Sequence, residues 1–104
     1  MLDKATVRDI AAKYAEEVKK VLDPVAIVIF GSYVNGNPHE ESDIDIAVIM
    51  HDYQGDWLET GAMLCGLTRC VNIDIEPHLL DETSDRSGFI EHIKKTGVFI
   101  YRAA

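Results

Sequence analysis

The amino-acid sequence predicts an α/β (α+β) protein, in which helices pack on a small mixed β-sheet. Short runs of β-branched residues indicate strands, and apolar residues at three- and four-residue steps indicate helices. A helix is predicted between the second and third strands, which favours a parallel pairing of those two strands. With 104 residues and no repeat or linker, the chain is predicted to form a single domain over residues 1–104.

The first two elements are a helix and a buried strand. Thr6 is the predicted N-cap, with Asp9 three residues later, and Pro24 stops the helix. One face of this helix carries an apolar stripe of Val7, Ile10, Ala11, Tyr14, Ala15, Val18, Val21 and Leu22. A strand is predicted over 25–30, where both faces are apolar, so we expect it to be fully buried.

The remaining elements alternate between strands and helices. A second strand is predicted over 43–50, a helix over 56–69 and a third strand over 71–76, ending at Pro77. A last helix over 85–96 should turn its apolar residues inward, and a terminal strand follows over 98–101. The inward residues of this last helix are Phe89, Ile90 and Ile93.

The cysteines and histidines do not form a recognisable metal motif. Cys65 and Cys70 are five residues apart, which is neither a redox motif nor a zinc spacing. We predict that both are reduced thiols in or near the core, which favours a cytoplasmic location. The histidines lack mutual ligand spacing and are predicted to be surface or loop residues: His39, His51, His78 and His92.

Carboxylates at the start of the second strand indicate a metal site. Asp43 and Asp45 are alternate residues, so their side chains should point to the same face. Two carboxylates about 7 Å apart on one strand face can hold divalent cations. The preceding Gly31-Ser32 turn offers free backbone N–H groups and a hydroxyl, which suit phosphate oxygens. Metal and phosphate together indicate a nucleotide site.

A third carboxylate should come from the third strand. If the second and third strands are parallel neighbours with matched starts, Asp74 lies level with Asp43 and Asp45. Glu76 has the same parity as Asp74, so the face alone does not choose between them. We expect Asp74 to complete the site because Glu76 would lie one step further along, next to Pro77. Three acids around two ions can support in-line nucleotidyl displacement.

The charge of the chain narrows the function. No Lys or Arg occurs between Lys20 and Arg69, and the formal net charge is −8. This balance argues against binding to nucleic acid or to a membrane surface, and it is compatible with a basic protein partner. A triphosphate would be repelled from so acidic a segment without divalent cations, so we expect the protein to be inert without metal.

These motifs resemble the DNA polymerase β-type nucleotidyltransferase superfamily. The resemblance lies in Gly31-Ser32, in the run Ser42-Asp43-Ile44-Asp45-Ile46-Ala47-Val48, and in Ile73-Asp74-Ile75. More narrowly, the chain is similar to the minimal nucleotidyltransferases, and the stretch 88–101 resembles their C-terminal helix and strand. The resemblance implies a palm-like nucleotidyltransferase core.

The resemblance also implies a reaction and a partner. It implies transfer of a nucleoside monophosphate, AMP being expected, from ATP or another NTP to a hydroxyl, with two Mg²⁺ ions. By position, Asp43 and Asp45 match the ligands of both metals, and Asp74 matches the third carboxylate. Gly31, Ser32 and Ser42 are the expected triphosphate-binding residues. The implied partner is a HEPN-domain protein, for which minimal members act as antitoxins.

One departure from the family pattern keeps a second function open. Many relatives have a basic residue where this chain has Asn35, so a phosphate contact is lost and catalytic strength is in doubt. The alternative is a non-catalytic binding module that neutralises a partner toxin by surface contact. An oligomer is compatible with either function.

Overall fold

The computed structural model describes residues 3–31, Val34 and residues 43–103. Within these residues the sheet has four strands in the order β3-β2-β1-β4. β1 is antiparallel to both of its neighbours, whereas β2 and β3 are parallel, so the predicted mixed sheet is confirmed. The elements in chain order are α1 (Lys4–Lys19), β1 (Ala26–Phe30), β2 (Ile44–Met50), α2 (Trp57–Leu67), β3 (Ile75–Asp81), α3 (Phe89–Thr96) and β4 (Val98–Arg102).

The N-cap of helix α1 lies three residues before the predicted one. The carboxylate of Asp3 accepts a hydrogen bond from the backbone N–H of Thr6, so Asp3 is the cap and Thr6 lies inside the first turn. The prediction of Thr6 as N-cap was therefore wrong. The predicted apolar stripe is confirmed at its centre, where the Tyr14 hydroxyl donates a 2.6 Å hydrogen bond to the Leu64 carbonyl of α2. This bond ties the two helices on one sheet face together.

The two central strands form the middle of the core. Neighbouring side chains alternate between two apolar clusters, one on each face of the sheet. Helices α1 and α2 cover one face, packing on Ile44, Ile46 and Val48. Helix α3 covers part of the other face, where Ile90 and Ile93 pack with Ala47 and Ile49. Asp45 has the same parity as Ala47 and therefore lies on the α3 face.

Strand β3 differs most from the sequence prediction. It begins at Ile75 rather than at residue 71, and it continues through Pro77 to Asp81. Pro77 lacks a backbone N–H, but β3 is at the edge of the sheet, where one side of the strand has no neighbour to bond with. Residues 71–74 instead follow a short 3₁₀ turn and form the connection into the strand. Pro77 is therefore a strand residue and not a terminator.

Helix α3 is shorter than predicted. Helix α3 begins at Phe89 rather than at residue 85, with Gly88 as its N-cap at a φ of +74°. Asp85 lies before the helix, and its carboxylate accepts hydrogen bonds from the N–H groups of Ile90 and Glu91 in the first turn. Ile90 and Ile93 are buried as predicted, whereas Phe89 is 42% exposed.

The two free cysteines, Cys65 and Cys70, are both exposed, so their prediction as core or near-core thiols was wrong.

Among the described residues, no helix combines the length and the apolar character that a membrane-spanning helix requires.

Candidate functional site

Asp45 occupies the centre of a row of side chains that crosses three strands. In the register of the sheet, Asp45 on β2 lies opposite Phe30 at the end of β1 and opposite Glu76 on β3. The Asp45 side chain is 23% exposed, so its carboxylate is partly withdrawn from water. Asp43 lies one residue before β2 and is exposed. The structure thus places both acids at the start of β2, Asp43 just before the strand and Asp45 within it.

Glu76 is the acid on β3 that joins this group. Partial desolvation, a hydrogen bond shared with Asp43 and the negative charge of Asp45 raise the pKa of Glu76, and the nearby His78 counteracts this in part. Two carboxyl groups can share a hydrogen bond only when one of them holds a proton. Desolvation first, and the neighbouring carboxyl groups second, therefore raise the pKa of Glu76.

His78 brings a nitrogen atom to the same group. Its Nε2 lies 3.2 Å from Asp45 Oδ1, and the ring meets Phe30 edge-on at a centroid distance of 5.0 Å. One ligand atom from each of Asp45, Glu76 and His78 lies within 4.8 Å of the others. Carboxylate oxygens and imidazole nitrogens are both metal ligands, and the excess of negative charge favours a cation. The donor set fits a divalent cation.

Gly31 positions the carboxylate of Asp45 from the β1 side. Its φ of +83° is a conformation that favours glycine, and a Cβ added there would overlap Asp45 Oδ2 and lie 3.1 Å from Cγ. The backbone at the end of β1 can therefore approach the carboxylate only because residue 31 has no side chain. The sequence predicted a role for Gly31 in phosphate binding, and the structure adds this steric requirement.

Asp74 is not brought into the group. It lies in the turn before β3 and is exposed, and its carbonyl accepts a 2.8 Å hydrogen bond from the N–H of Ile44. In the register of the sheet Glu76, and not Asp74, lies level with Asp45. Across residues 3–31, 34 and 43–103, the cluster of ligand atoms includes Glu76 but not Asp74. The role of Asp74 remains a prediction.

Several predicted contacts lie outside the described residues. These are the triphosphate contacts of Ser32 and Ser42, and the family position at Asn35. Sequence reasoning missed His78, although it shares the parity of Asp74 and Glu76 and would have been placed on their face had the strand been extended beyond Pro77.

A separate cavity lies at the other end of β2 and β3. It has a volume of about 520 Å³, and Tyr53, Trp57, Asp81 and Phe89 are among the residues that line it. Asp45, Glu76 and His78 do not line it. Among the described residues, the acid cluster is thus not part of this cavity.

Solved structures with the same fold support the assignment of the core. A Sulfolobus solfataricus protein assigned as a nucleotidyltransferase superimposes with a TM-score of 0.68 at 21% identity, covering 94% of this chain and 82% of that one. A chain of a toxin-antitoxin structure with AMP-PNP gives a TM-score of 0.63 at 24% identity, covering 88% and 73%. A toxin-antitoxin MntA-HpeT double variant gives 0.64 at 22% identity, covering 88% and 72%. At these identities the likeness shows the fold.

The family follows from a match to the chain itself. A search of curated protein sequences finds no match. The family model described as polymerase beta, nucleotidyltransferase matches residues 12–104, which includes every strand of the sheet and the whole acid cluster. The chain therefore belongs to the polymerase beta nucleotidyltransferase family.

Proposed function

We propose that this protein is a Mg²⁺-dependent nucleotidyltransferase that transfers a nucleoside monophosphate, AMP by expectation, from an NTP to a hydroxyl group. The observation that carries the proposal is the convergence of Asp43, Asp45 and Glu76 at the start of β2 and β3. A metal-binding acid cluster in this family is the feature that the reaction needs, since divalent cations neutralise the triphosphate. The matched family and the AMP-PNP in one structural relative are consistent with it.

The residues of the cluster would differ in their roles. Asp43 and Asp45 would hold the Mg²⁺ ions that accompany the triphosphate, and Glu76 would complete the set in place of Asp74. Gly31 would keep the backbone of β1 close to the Asp45 carboxylate. Ser32 and Ser42 remain our predicted triphosphate contacts. The bound ions would neutralise charge on the phosphates and on the leaving group.

The proposed reaction is an in-line displacement at the α-phosphorus of the NTP. The acceptor oxygen forms a bond to the α-phosphorus, the bond from that phosphorus to the bridging oxygen breaks, and pyrophosphate leaves. The acceptor proton must go to a base, for which we propose the carboxylate oxygen of Glu76 that is not needed to hold the ion. The chain's own contribution is to position the acceptor beside the acids and to hold this proton.

The acceptor is proposed to belong to a protein partner. Two of the structural relatives are toxin-antitoxin assemblies, and the minimal nucleotidyltransferases that this chain resembles pair with HEPN-domain proteins. A net charge of −8 favours a partner that is basic at the contact. We therefore propose that the protein is the antitoxin of such a pair and modifies a hydroxyl on its toxin.

The second candidate is a binding module without catalysis, and the toxin-antitoxin relatives are equally compatible with it. Such a module would neutralise its partner by contact alone. It would need neither ATP nor a metal ion.

The test is label transfer from α-³²P-ATP to the co-expressed HEPN-type partner, with and without Mg²⁺. The parent protein should label the partner only with Mg²⁺, Asp45→Asn should abolish labelling, and Asp9→Asn should not affect it. Asp9 is an exposed acid of α1, which packs on the opposite face of the sheet from Asp45, and controls for the loss of one charge. Labelling of the partner by Asp45→Asn at the level of the parent would contradict the proposed enzymatic activity. Neutralisation of the partner without any labelling would favour the binding module.

A further inference from the structure

A nitrogen atom lies where a second or third metal ligand would be expected at the acid cluster. His78 Nε2 is 3.2 Å from Asp45 Oδ1, and the ligand atoms of Asp45, Glu76 and His78 are mutually within 4.8 Å. Adjacent ligands of an octahedral cation with bonds of about 2.1 Å lie about 3.0 Å apart, and opposite ligands about 4.2 Å apart. The 3.2 Å separation of His78 and Asp45 therefore matches that of adjacent ligands of one ion, and the limit of 4.8 Å on the other two pairs lies slightly above the distance between opposite ligands.

The imidazole of His78 is held in this position by its neighbours. In the register of the sheet His78 lies opposite Ala47, whose small side chain leaves room for the ring. Phe30 meets the ring edge-on, and Phe30 is itself fixed by Phe89 of α3 at 5.8 Å between ring centroids. Because the ring is packed on one side, few rotamers remain for it to lose on binding an ion.

We propose that His78 is a direct nitrogen ligand of the cation held by Asp45 and Glu76, which gives the site a preference for Mn²⁺ over Mg²⁺. The inference rests on the proposed function, since it concerns the same cation. Imidazole nitrogen binds first-row transition ions well, whereas Mg²⁺ prefers oxygen ligands and keeps its water. On binding, the ion replaces the contact between Nε2 and Asp45, and the neutral imidazole uses the Nε2 lone pair.

The test is Mn²⁺ binding by the full chain without a polyhistidine tag, with and without a non-hydrolysable ATP analogue. Free Mn²⁺ is counted by electron paramagnetic resonance, and pulsed measurements detect ¹⁴N coupling from a bound imidazole. The variant is His78→Gln, which keeps a polar side chain whose oxygen can still serve Mg²⁺. The control is His92→Gln, because His92 is an exposed histidine of α3 that does not belong to the cluster of ligand atoms.

We expect ¹⁴N coupling in the parent and in His92→Gln, and its loss in His78→Gln. Affinity for Mn²⁺ should fall at least about tenfold in His78→Gln while affinity for Mg²⁺ changes less than about twofold. Mn²⁺ bound without ¹⁴N coupling, or an unchanged Mn²⁺ affinity in His78→Gln, would overturn the ligand role and leave the proposed function intact. Parent protein that binds no Mn²⁺ even with the nucleotide analogue would overturn both.

Discussion

The choice between Glu76 and Asp74 as the third acid is open to a direct test with two isosteric variants. The register places Glu76 opposite Asp45, and Asp74 lies in the turn before the strand. We therefore expect Glu76→Gln to lose most transfer activity and Asp74→Asn to stay within about tenfold of the parent, a barrier change of about 1.4 kcal/mol. Sequence reasoning alone predicts the reverse order.

The size of the effect follows from the charge that Glu76→Gln removes. A unit charge about 4 Å from a cation is worth about 4 kcal/mol at an effective dielectric constant of about 20. Glu76 is exposed, so water screens part of this interaction, and we expect a loss of about 10²- to 10³-fold in kcat/KM.

The assay is pyrophosphate release from ATP with saturating Mg²⁺ and the partner protein as acceptor. The thermal midpoint of the metal-free protein shows whether each variant is folded, and Glu76→Gln should be at least as stable as the parent, since it removes repulsion from Asp43 and Asp45. A dead Asp74→Asn beside a Glu76→Gln of nearly parental activity would refute the reasoning from register.

Three further changes test the contacts that support the site and the fold. Gly31→Ala should cost about 1 kcal/mol or more of stability and most transfer activity, because its Cβ overlaps the Asp45 carboxylate and its φ is +83°; thermal melts and label transfer measure both. Tyr14→Phe should lower the free energy of unfolding by about 1–3 kcal/mol in urea titrations, since it leaves the buried Leu64 carbonyl without its donor. Hydrogen bonds from Thr83 and from the N–H groups of Asp52 and Tyr53 lower the pKa of Asp81. Its carboxylate therefore stabilises the fold fully above pH 4, and that contribution is lost as the pH falls further, so urea titrations should show a weaker decline below pH 4 in Asp81→Asn than in the parent.

The sequence was most informative about β2 and the helices that flank it. The run Ile44–Met50 is apolar throughout except for Asp45, so its strand, its burial and the face of that acid could all be predicted. The apolar stripe of α1 could be predicted because its apolar residues recur at three- and four-residue steps. Its N-terminus was not, because both Asp3 and Thr6 are good N-caps and the sequence does not choose between them.

The prediction was least accurate at β3, for a reason that lies in the sheet. Pro77 ends a central strand but is tolerated at an edge, and strand order is a property of the whole fold rather than of the local sequence. Ending the strand at Pro77 left His78 in a loop and made Asp74 the preferred acid. With the strand running from Ile75 to Asp81, Glu76 and His78 fall on the same face as Asp45.

The measurement that tests the central claim most directly is the calorimetric titration of ATP into the parent protein and into Asp45→Asn, each with Mg²⁺ and with EDTA. If the acid cluster binds the triphosphate through metal ions, the parent should bind ATP at least about tenfold more tightly with Mg²⁺, a difference of about 1.4 kcal/mol. Asp45→Asn should lose most of that difference. ATP binding of equal strength with Mg²⁺ and with EDTA, or a Mg²⁺ dependence unchanged in Asp45→Asn, would contradict the assignment of the cluster as the metal and nucleotide site.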